Sequence, residues 1–251
     1  MGYFDVKAYS ASAIKAGAVS MLQMWHEIEH GKEKSAAMFR GAKQHMAILE
    51  PEKLAALTLF DGDKRKKEYK DLKEQVGEEN IITPQELEQF NAALAQVRNN
   101  PIVKDRDLFA DGEAEKEIYW KENGIDCKCK VDWFADDYIV EYKTTGQIER
   151  FIPAAASMRY HLQLAWYWRG ACQLDGKQKR VYIVAQEQKA PFDVAVFTIS
   201  PLMLKMWFKE CMNIVERYES GDRTGAFPVL MQFELPAWAD DTDFSSDDIQ
   251  F

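Results

Sequence analysis

Hydrophobic positions in the first hundred residues recur mostly at the spacing of an α-helix. A first helix is predicted behind a cap at Ser10 or Ser12, with apolar positions on one face at Ile14, Ala18, Leu22 and Trp25. A second is predicted over about 35–49, ending before Pro51, because proline disfavours the helical conformation of the residue before it. Thr83-Pro84-Gln85-Glu86 combines an N-cap, proline at the first helical position and a capping-box glutamate.

The pattern changes to strands after residue 110. Alternation and a high content of Val, Ile, Tyr and Trp predict strands at 113–120, 125–134, 138–144, 180–186 and 192–199. Helices are predicted between the third and fourth strands, at about 153–170, and from Pro201 to about residue 219. This order predicts an α/β domain with a mixed central sheet behind a helical N-terminal part.

Composition and charge refine this picture. At 251 residues and 47% apolar content, the chain suits a single folded domain over 1–239, with a helical part at 1–110 and a core at 111–225. No run approaches the ~20 apolar residues of a membrane span, and no export signal is visible. The net charge of −9 weakens the expectation of DNA binding. Five aspartates in residues 240–251, however, account for more than half of it.

Three residues predict metal-dependent phosphodiester hydrolysis. Glu141 and Lys143 share one face of a strand, and Asp132 on the preceding strand of a hairpin can lie beside them. Two carboxylates bind Mg²⁺ through hard oxygen ligands, and the ammonium can orient water and offset charge on the phosphate. The alternative is a cross-strand salt bridge on a solvated face. The apolar residues Ile139, Val140 and Tyr142 indicate instead a largely buried strand.

Four further residues are weaker candidates. Glu115 and Glu117 lie two apart on a strand, so either can supply a third carboxylate, with Glu115 preferred; an exposed edge of alternating charge is the alternative. Gln163 and Tyr167 lie four apart on one helix face, where an amide and a phenol can bind phosphate or position the lysine. The alternative is the polar edge of an amphipathic helix.

His45 is a candidate ligand from the second helix. Its stripe includes Met38 and Leu49, which also suits a histidine at the edge of the core. An imidazole reaching in from a neighbouring helix can complete the shell of Mg²⁺ or Mn²⁺.

In combination these motifs resemble the RecB/RecE branch of the PD-(D/E)xK nucleases, and most closely the RecE-type (exonuclease VIII-like) phage and prophage exonucleases. The matching segments, in order, are G-x-x-x-H-x-x-x-L-E-P at 41–51, Glu115 through CKCKVDW, EYKTT at 141–145 and YHLQLAWY at 160–167. The order and spacing hold over roughly residues 35–225. Two positions depart from the pattern: Val131 replaces the nominal proline, and Glu141 stands where aspartate is frequent.

The resemblance implies a restriction-endonuclease-like fold and a set of site roles. Metal ligands would be His45, Asp132, Glu141 and the backbone carbonyl of Tyr142. Glu115 would assist, Lys143 would be catalytic, and the Gln163–Tyr167 pair would support the site or the DNA. Two Mg²⁺ ions are expected, with Mn²⁺ able to substitute.

The implied activity is 5′→3′ degradation of linear double-stranded DNA, leaving 3′ single strands for an annealing protein in phage recombination. Relatives form rings, so a homo-oligomer, trimer or tetramer, is expected in the cytoplasm of a bacterial host. The alternatives are a PD-(D/E)xK endonuclease, a Cas4-like nuclease, and a non-catalytic module that binds DNA ends or a partner. Cas4-like proteins carry a four-cysteine iron–sulfur cluster, but the four cysteines here include no C-x-x-C pair, and no cluster is expected.

The last twelve residues, DDTDFSSDDIQF, have the composition of a disordered segment. They resemble the acidic tips of bacterial single-strand-binding proteins, which dock a terminal aromatic residue and carboxylate in basic pockets. Partner binding is therefore predicted at Asp247, Asp248, Ile249 and Phe251. The alternative is a solubilising acidic end.

Overall fold

A computed structural model describes residues 2–31 and 36–226, with the side chains of 36–40 excepted. The predicted docking residues Asp247, Asp248, Ile249 and Phe251 lie outside these residues. The helices are α1 (Ala11–Gly17), α2 (Met21–His30), α3 (Ala36–Leu49), α4 (Pro51–Ala55), α5 (Lys67–Val76), α6 (Pro84–Asn99), α7 (Pro101–Asp105), α8 (Phe151–Ser157), α9 (Tyr160–Asp175) and α10 (Pro201–Glu219). The strands are β1 (Thr58–Leu59), β2 (Ile81–Ile82), β3 (Glu113–Glu122), β4 (Ile125–Phe134), β5 (Tyr138–Thr145), β6 (Arg180–Glu187) and β7 (Val194–Thr198).

The central sheet is mixed, as predicted, and has the strand order β3-β4-β5-β6-β7. Only the β5–β6 pair is parallel; the other three pairs are antiparallel. The parallel pair needs a crossover connection, which α8 and α9 supply. The separate two-stranded β1–β2 pair is too short to give an alternating pattern and was not predicted.

Helices cover both faces of the sheet. One apolar cluster joins α1, α2, α9 and α10 to the sheet and contains Ile14, Trp166 and Val215, all fully buried. The other joins α3, α6 and α7 to the opposite face through Leu49, Val97 and similar residues. The resulting three-layer arrangement confirms the predicted α/β, restriction-endonuclease-like fold.

Two predicted helices are interrupted in the structure. The first ends at Gly17, and a new helix begins behind Ser20, whose hydroxyl accepts a hydrogen bond from the amide of Gln23 at 3.1 Å. The helix predicted over 153–170 is likewise broken between α8 and α9, where Arg159 adopts the left-handed conformation with φ 54°. The prediction of one continuous helix was wrong in both places, because local caps and turns overrode the apolar periodicity.

Other boundaries follow the sequence signals. Thr83 and Glu86 form the predicted reciprocal capping box at the start of α6, with hydrogen bonds of 2.9 and 3.2 Å. Helix α3 ends at Leu49, directly before Glu50-Pro51. None of the helices in residues 2–31 and 36–226 combines the length and apolar character that a membrane span requires.

Candidate metal-dependent nuclease site

Three neighbouring strands lose their regular pairing at the same level of the sheet. Between β3 and β4 the register would pair Glu115 with Asp132, but this pair is missing from an otherwise continuous ladder. Between β4 and β5 the ladder ends at Trp133–Val140, one step before Asp132 would face Glu141. The three acidic residues therefore lie at one level of the sheet, where the strands separate.

The cause on β3 is the backbone of Glu115, which has φ 54°. A non-glycine residue in this region is uncommon, and such outliers concentrate at functional sites. Sequence alternation predicted that Glu115 and Glu117 share a face, and the structure separates them. Glu115 is partly buried beside Asp132, whereas Glu117 is exposed and accepts a hydrogen bond from the hydroxyl of Tyr119.

His45, Glu115 and Asp132 form a cluster with the geometry of a metal site. One potential ligand atom from each lies within 4.8 Å of the others. His45 Nδ1 is 3.6 Å from Asp132 Oδ2, and the same oxygen accepts a hydrogen bond from the amide of Tyr142 at 2.8 Å. The Asp132 side chain thus replaces a backbone hydrogen bond between β4 and β5, and its carboxylate also belongs to the cluster.

Glu141 is not a member of this three-residue cluster and faces helix α9 from the next strand. Its Oε1 accepts hydrogen bonds from Lys143 Nζ and, at 2.6 Å, from Gln163 Nε2. Its Oε2 is buried and has no hydrogen-bond partner among the described residues. A buried carboxylate oxygen without a partner is costly, and it is the hard oxygen ligand that a divalent cation takes. The donor set therefore fits the predicted metal site.

Burial and repulsion from a neighbouring carboxylate raise the pKa values of the two central acids, Asp132 and Glu141. Burial, reinforced by Glu115, raises the pKa of Asp132 to about 6. Burial and the charge of Asp132 raise the pKa of Glu141 to about 7. Burial alone would lower the pKa of Lys143, but the carboxylates of Glu141 and Asp132 outweigh it and raise that pKa above its ordinary value. The lysine therefore stays protonated beside two acids that resist ionising together.

His45 is held in the form that binds metal. Burial and the Lys143 charge lower its pKa to about 4, so the imidazole is neutral at physiological pH. Its ring packs edge-on against that of Tyr142, with centroids 5.0 Å apart. Metal binding by the Tyr142 carbonyl stays a prediction.

A buried polar network behind the site was not predicted from sequence. The Tyr142 hydroxyl accepts a hydrogen bond from Gln44 at 3.1 Å and donates one to Gln186 at 2.6 Å. Gln186 in turn donates to the carbonyl of Ala93 at 2.8 Å. This network joins α3, β5, β6 and α6, and it fixes the strand that carries Glu141 and Lys143.

Tyr167 lies one turn beyond Gln163 on α9. Burial and the charges of Glu141 and Asp132 raise its pKa well above the ordinary value, so the phenol stays protonated as a hydrogen-bond donor. The structure thus brings His45, Glu115 and Asp132 into one cluster and pairs Glu141 with Lys143 on the neighbouring strand, with Gln163 and Tyr167 on the α9 side.

Comparison with known proteins agrees with this geometry. Residues 7–230 match the family described as PDDEXK-like domain of unknown function (DUF3799). The chain belongs to this family. Membership in the PD-(D/E)xK nuclease superfamily, expected from the motifs, is thereby confirmed; the RecE-type assignment stays a prediction.

A solved structure has the same fold as this DUF3799 domain. The crystal structure of a candidate exonuclease from Eubacterium rectale matches with a TM-score of 0.63 and 14% identity, covering 95% of this chain and 94% of the other. A second structure, of SSO0001, has 14% identity and covers 82% and 84% of the two chains, but its TM-score of 0.32 is too low to support a shared arrangement. No significant match was found among curated proteins.

Glu115 and Glu117, two residues apart on β3, allow a controlled test of the metal site in this DUF3799 domain. We expect Glu115→Gln to weaken Mn²⁺ binding at least about 10-fold, the scale that even supporting groups of metal sites show. Glu117→Gln, the same change two residues away on the exposed side, should leave binding unchanged. Isothermal titration of both variants measures this, and equal affinities would remove Glu115 from the ligand set.

Proposed function

We propose that this protein is a Mg²⁺-dependent 5′→3′ exonuclease that degrades linear double-stranded DNA. The observation that carries the proposal is the cluster of His45, Glu115 and Asp132, next to the ion-paired Glu141 and Lys143, where three strands separate. Buried acids gathered around an ammonium are costly to the fold, and such arrangements concentrate at catalytic sites.

Each residue has a distinct part in the proposed reaction. His45, Asp132, Glu115 and Glu141 would hold the cation, which supplies Lewis-acid stabilisation of charge on the scissile phosphate when bound. Lys143 keeps its proton and donates to the phosphate oxygens or the attacking water. Gln163 holds the Glu141 carboxylate through its 2.6 Å hydrogen bond, which fixes the direction of the remaining oxygen.

The exonuclease activity and its polarity rest on similarity. The motifs in residues 41–167 resemble those of RecE-type enzymes, and the structural neighbour from Eubacterium rectale bears the name exonuclease. The same resemblance supports a trimeric or tetrameric ring and a single-strand annealing partner, which would bind the acidic tail. A cytoplasmic location in a bacterial host and phage or prophage origin belong to the same proposal.

End-labelled DNA tests the proposed activity directly. With Mg²⁺, the protein should release a 5′ label from linear duplex much earlier than a 3′ label, and it should leave a covalently closed plasmid intact. Cutting of the closed plasmid would indicate an endonuclease of the same fold. Binding of DNA ends without cleavage in Mg²⁺ or Mn²⁺ would support the non-catalytic alternative.

A further inference from the structure

A second lysine reaches the site from the N-terminal part of the chain. Lys15 lies on α1 and donates a hydrogen bond from Nζ to Gln163 Oε1 at 2.8 Å. Gln163 is the residue whose amide nitrogen binds Glu141. Lys15 is therefore one side chain away from the central carboxylate, although it is 126 residues distant in sequence.

Close packing fixes the helix that carries Lys15. Its neighbour Ile14 is fully buried in the cluster shared with α9 and α10. At Gly17 an added Cβ would lie 2.5 Å from Ile214 and 2.7 Å from Met24, so α1 fits tightly against α10 and α2. Functional groups on such rigid elements are placed accurately, which suits a binding role for Lys15.

Lys15 and Lys143 lie on the same aromatic ring. Their Nζ atoms are 5.5 and 5.1 Å from the centroid of Tyr160, which limits their separation to about 11 Å. Lys143 contacts Glu141 directly, and Lys15 is linked to it through Gln163. The two ammoniums thus lie beside one another at the metal site, near enough to contact two consecutive phosphates of one strand.

We propose that Lys15 binds the phosphate adjacent to the scissile phosphate in the strand that is cut, while Lys143 serves the scissile phosphate itself. The inference rests on the proposed nuclease function and extends the binding site by one nucleotide. The hydrogen bond from the partly buried Lys15 to the neutral amide oxygen of Gln163 can be exchanged for one to a phosphate oxygen, which is stronger because both groups are charged.

DNA with one phosphate replaced by a neutral analogue tests whether Lys15 binds that phosphate. Linear duplexes with a single methylphosphonate at successive positions would be cleaved under single-turnover conditions. For the wild type, neutralising the adjacent phosphate should slow cleavage about 10-fold, the scale of one lost hydrogen bond to a charged group. Lys15→Met should be about 10-fold slower on ordinary DNA and should lose no further rate at that position.

The controls separate this role from a structural one. Lys7→Met makes the same change at an exposed lysine before α1 and should retain the full methylphosphonate effect. Lys15→Arg should recover most of the rate. If the analogue slowed Lys15→Met as much as the wild type, Lys15 would act only by positioning Gln163, and the proposal would be wrong.

A binding measurement distinguishes failure of this inference from failure of the proposed function. With Ca²⁺ in place of Mg²⁺, the slope of log K for duplex DNA against log salt concentration should be about 0.9 less negative in Lys15→Met than in the wild type, the loss of one phosphate contact. An unchanged slope would contradict the Lys15 assignment even in an active nuclease. Absence of cleavage by the wild type, with the slope reduced in the variant, would overturn the nuclease function alone.

Discussion

Replacing Lys143 by methionine is expected to lower the rate of DNA hydrolysis at least about 100-fold, the effect of removing an important electrostatic group from a site. The ammonium of Lys143 contacts Glu141, and the Lys143 side chain is only 14% exposed, so solvent cannot replace its charge. Methionine retains the apolar stem and removes only the donor and the positive charge. Single-turnover release of label from 5′-labelled linear duplex in Mg²⁺ measures the effect.

Lys121→Met is the matched control for this experiment. Lys121 lies near the end of β3, and its side chain is 67% exposed in a surface ion pair with Asp126. Surface pairs of this kind contribute little to stability, so this variant should keep both its fold and its activity. Thermal unfolding of both variants checks that any loss at Lys143 is chemical. Full activity of a folded Lys143→Met protein would exclude the proposed catalytic role.

Local signals in the sequence were sufficient to predict most of the sheet and part of the site. Asp132, Glu141 and Lys143 lie on consecutive strands of one hairpin, so the period of two and one turn were enough to place them together. Gln163 was found because helical spacing and the family resemblance pointed to the same segment. The positions of these residues follow from the local periodicity of strands and helices, which can be recognised in a single sequence.

The features that were missed depend on contacts distant in sequence or on a break in regular geometry. The left-handed backbone at Glu115 separates its side chain from that of Glu117. The alternation of side chains along a strand assumes extended backbone, so it cannot predict this position. Lys15 reaches Gln163 because α1 packs in the apolar cluster that also contains α9 and α10, and the short sequence of α1 does not predict this tertiary contact. Gln44 and Gln186 have ordinary sequence surroundings and acquire a role only once Tyr142 lies between them.

Asp132→Asn is expected to stabilise the protein without metal, by an amount that grows with pH. The folded state raises the pKa of Asp132 from 3.8 to about 6, so between these values the folded wild type binds more protons than the unfolded chain. Wild-type stability contributed by this group therefore falls as the pH rises from about 4 to about 6. Asparagine cannot ionise, so the variant avoids a penalty on the order of 3 kcal/mol at pH 8, and avoids almost none at pH 4.

Metal should make the wild type more stable than Asp132→Asn, because the buried acids that destabilise the metal-free protein are the groups that bind the cation. Mg²⁺ should raise the melting temperature of the wild type through preferential binding to the folded state, and it should raise that of Asp132→Asn little or not at all. Asp136→Asn, the same change at a side chain 79% exposed in the turn between β4 and β5, should behave as wild type throughout. Thermal unfolding at pH 4 and pH 8, with EDTA or with Mg²⁺, measures both effects. An Asp132→Asn protein less stable than the wild type at pH 8 in EDTA would show that the aspartate supports the fold rather than a cation.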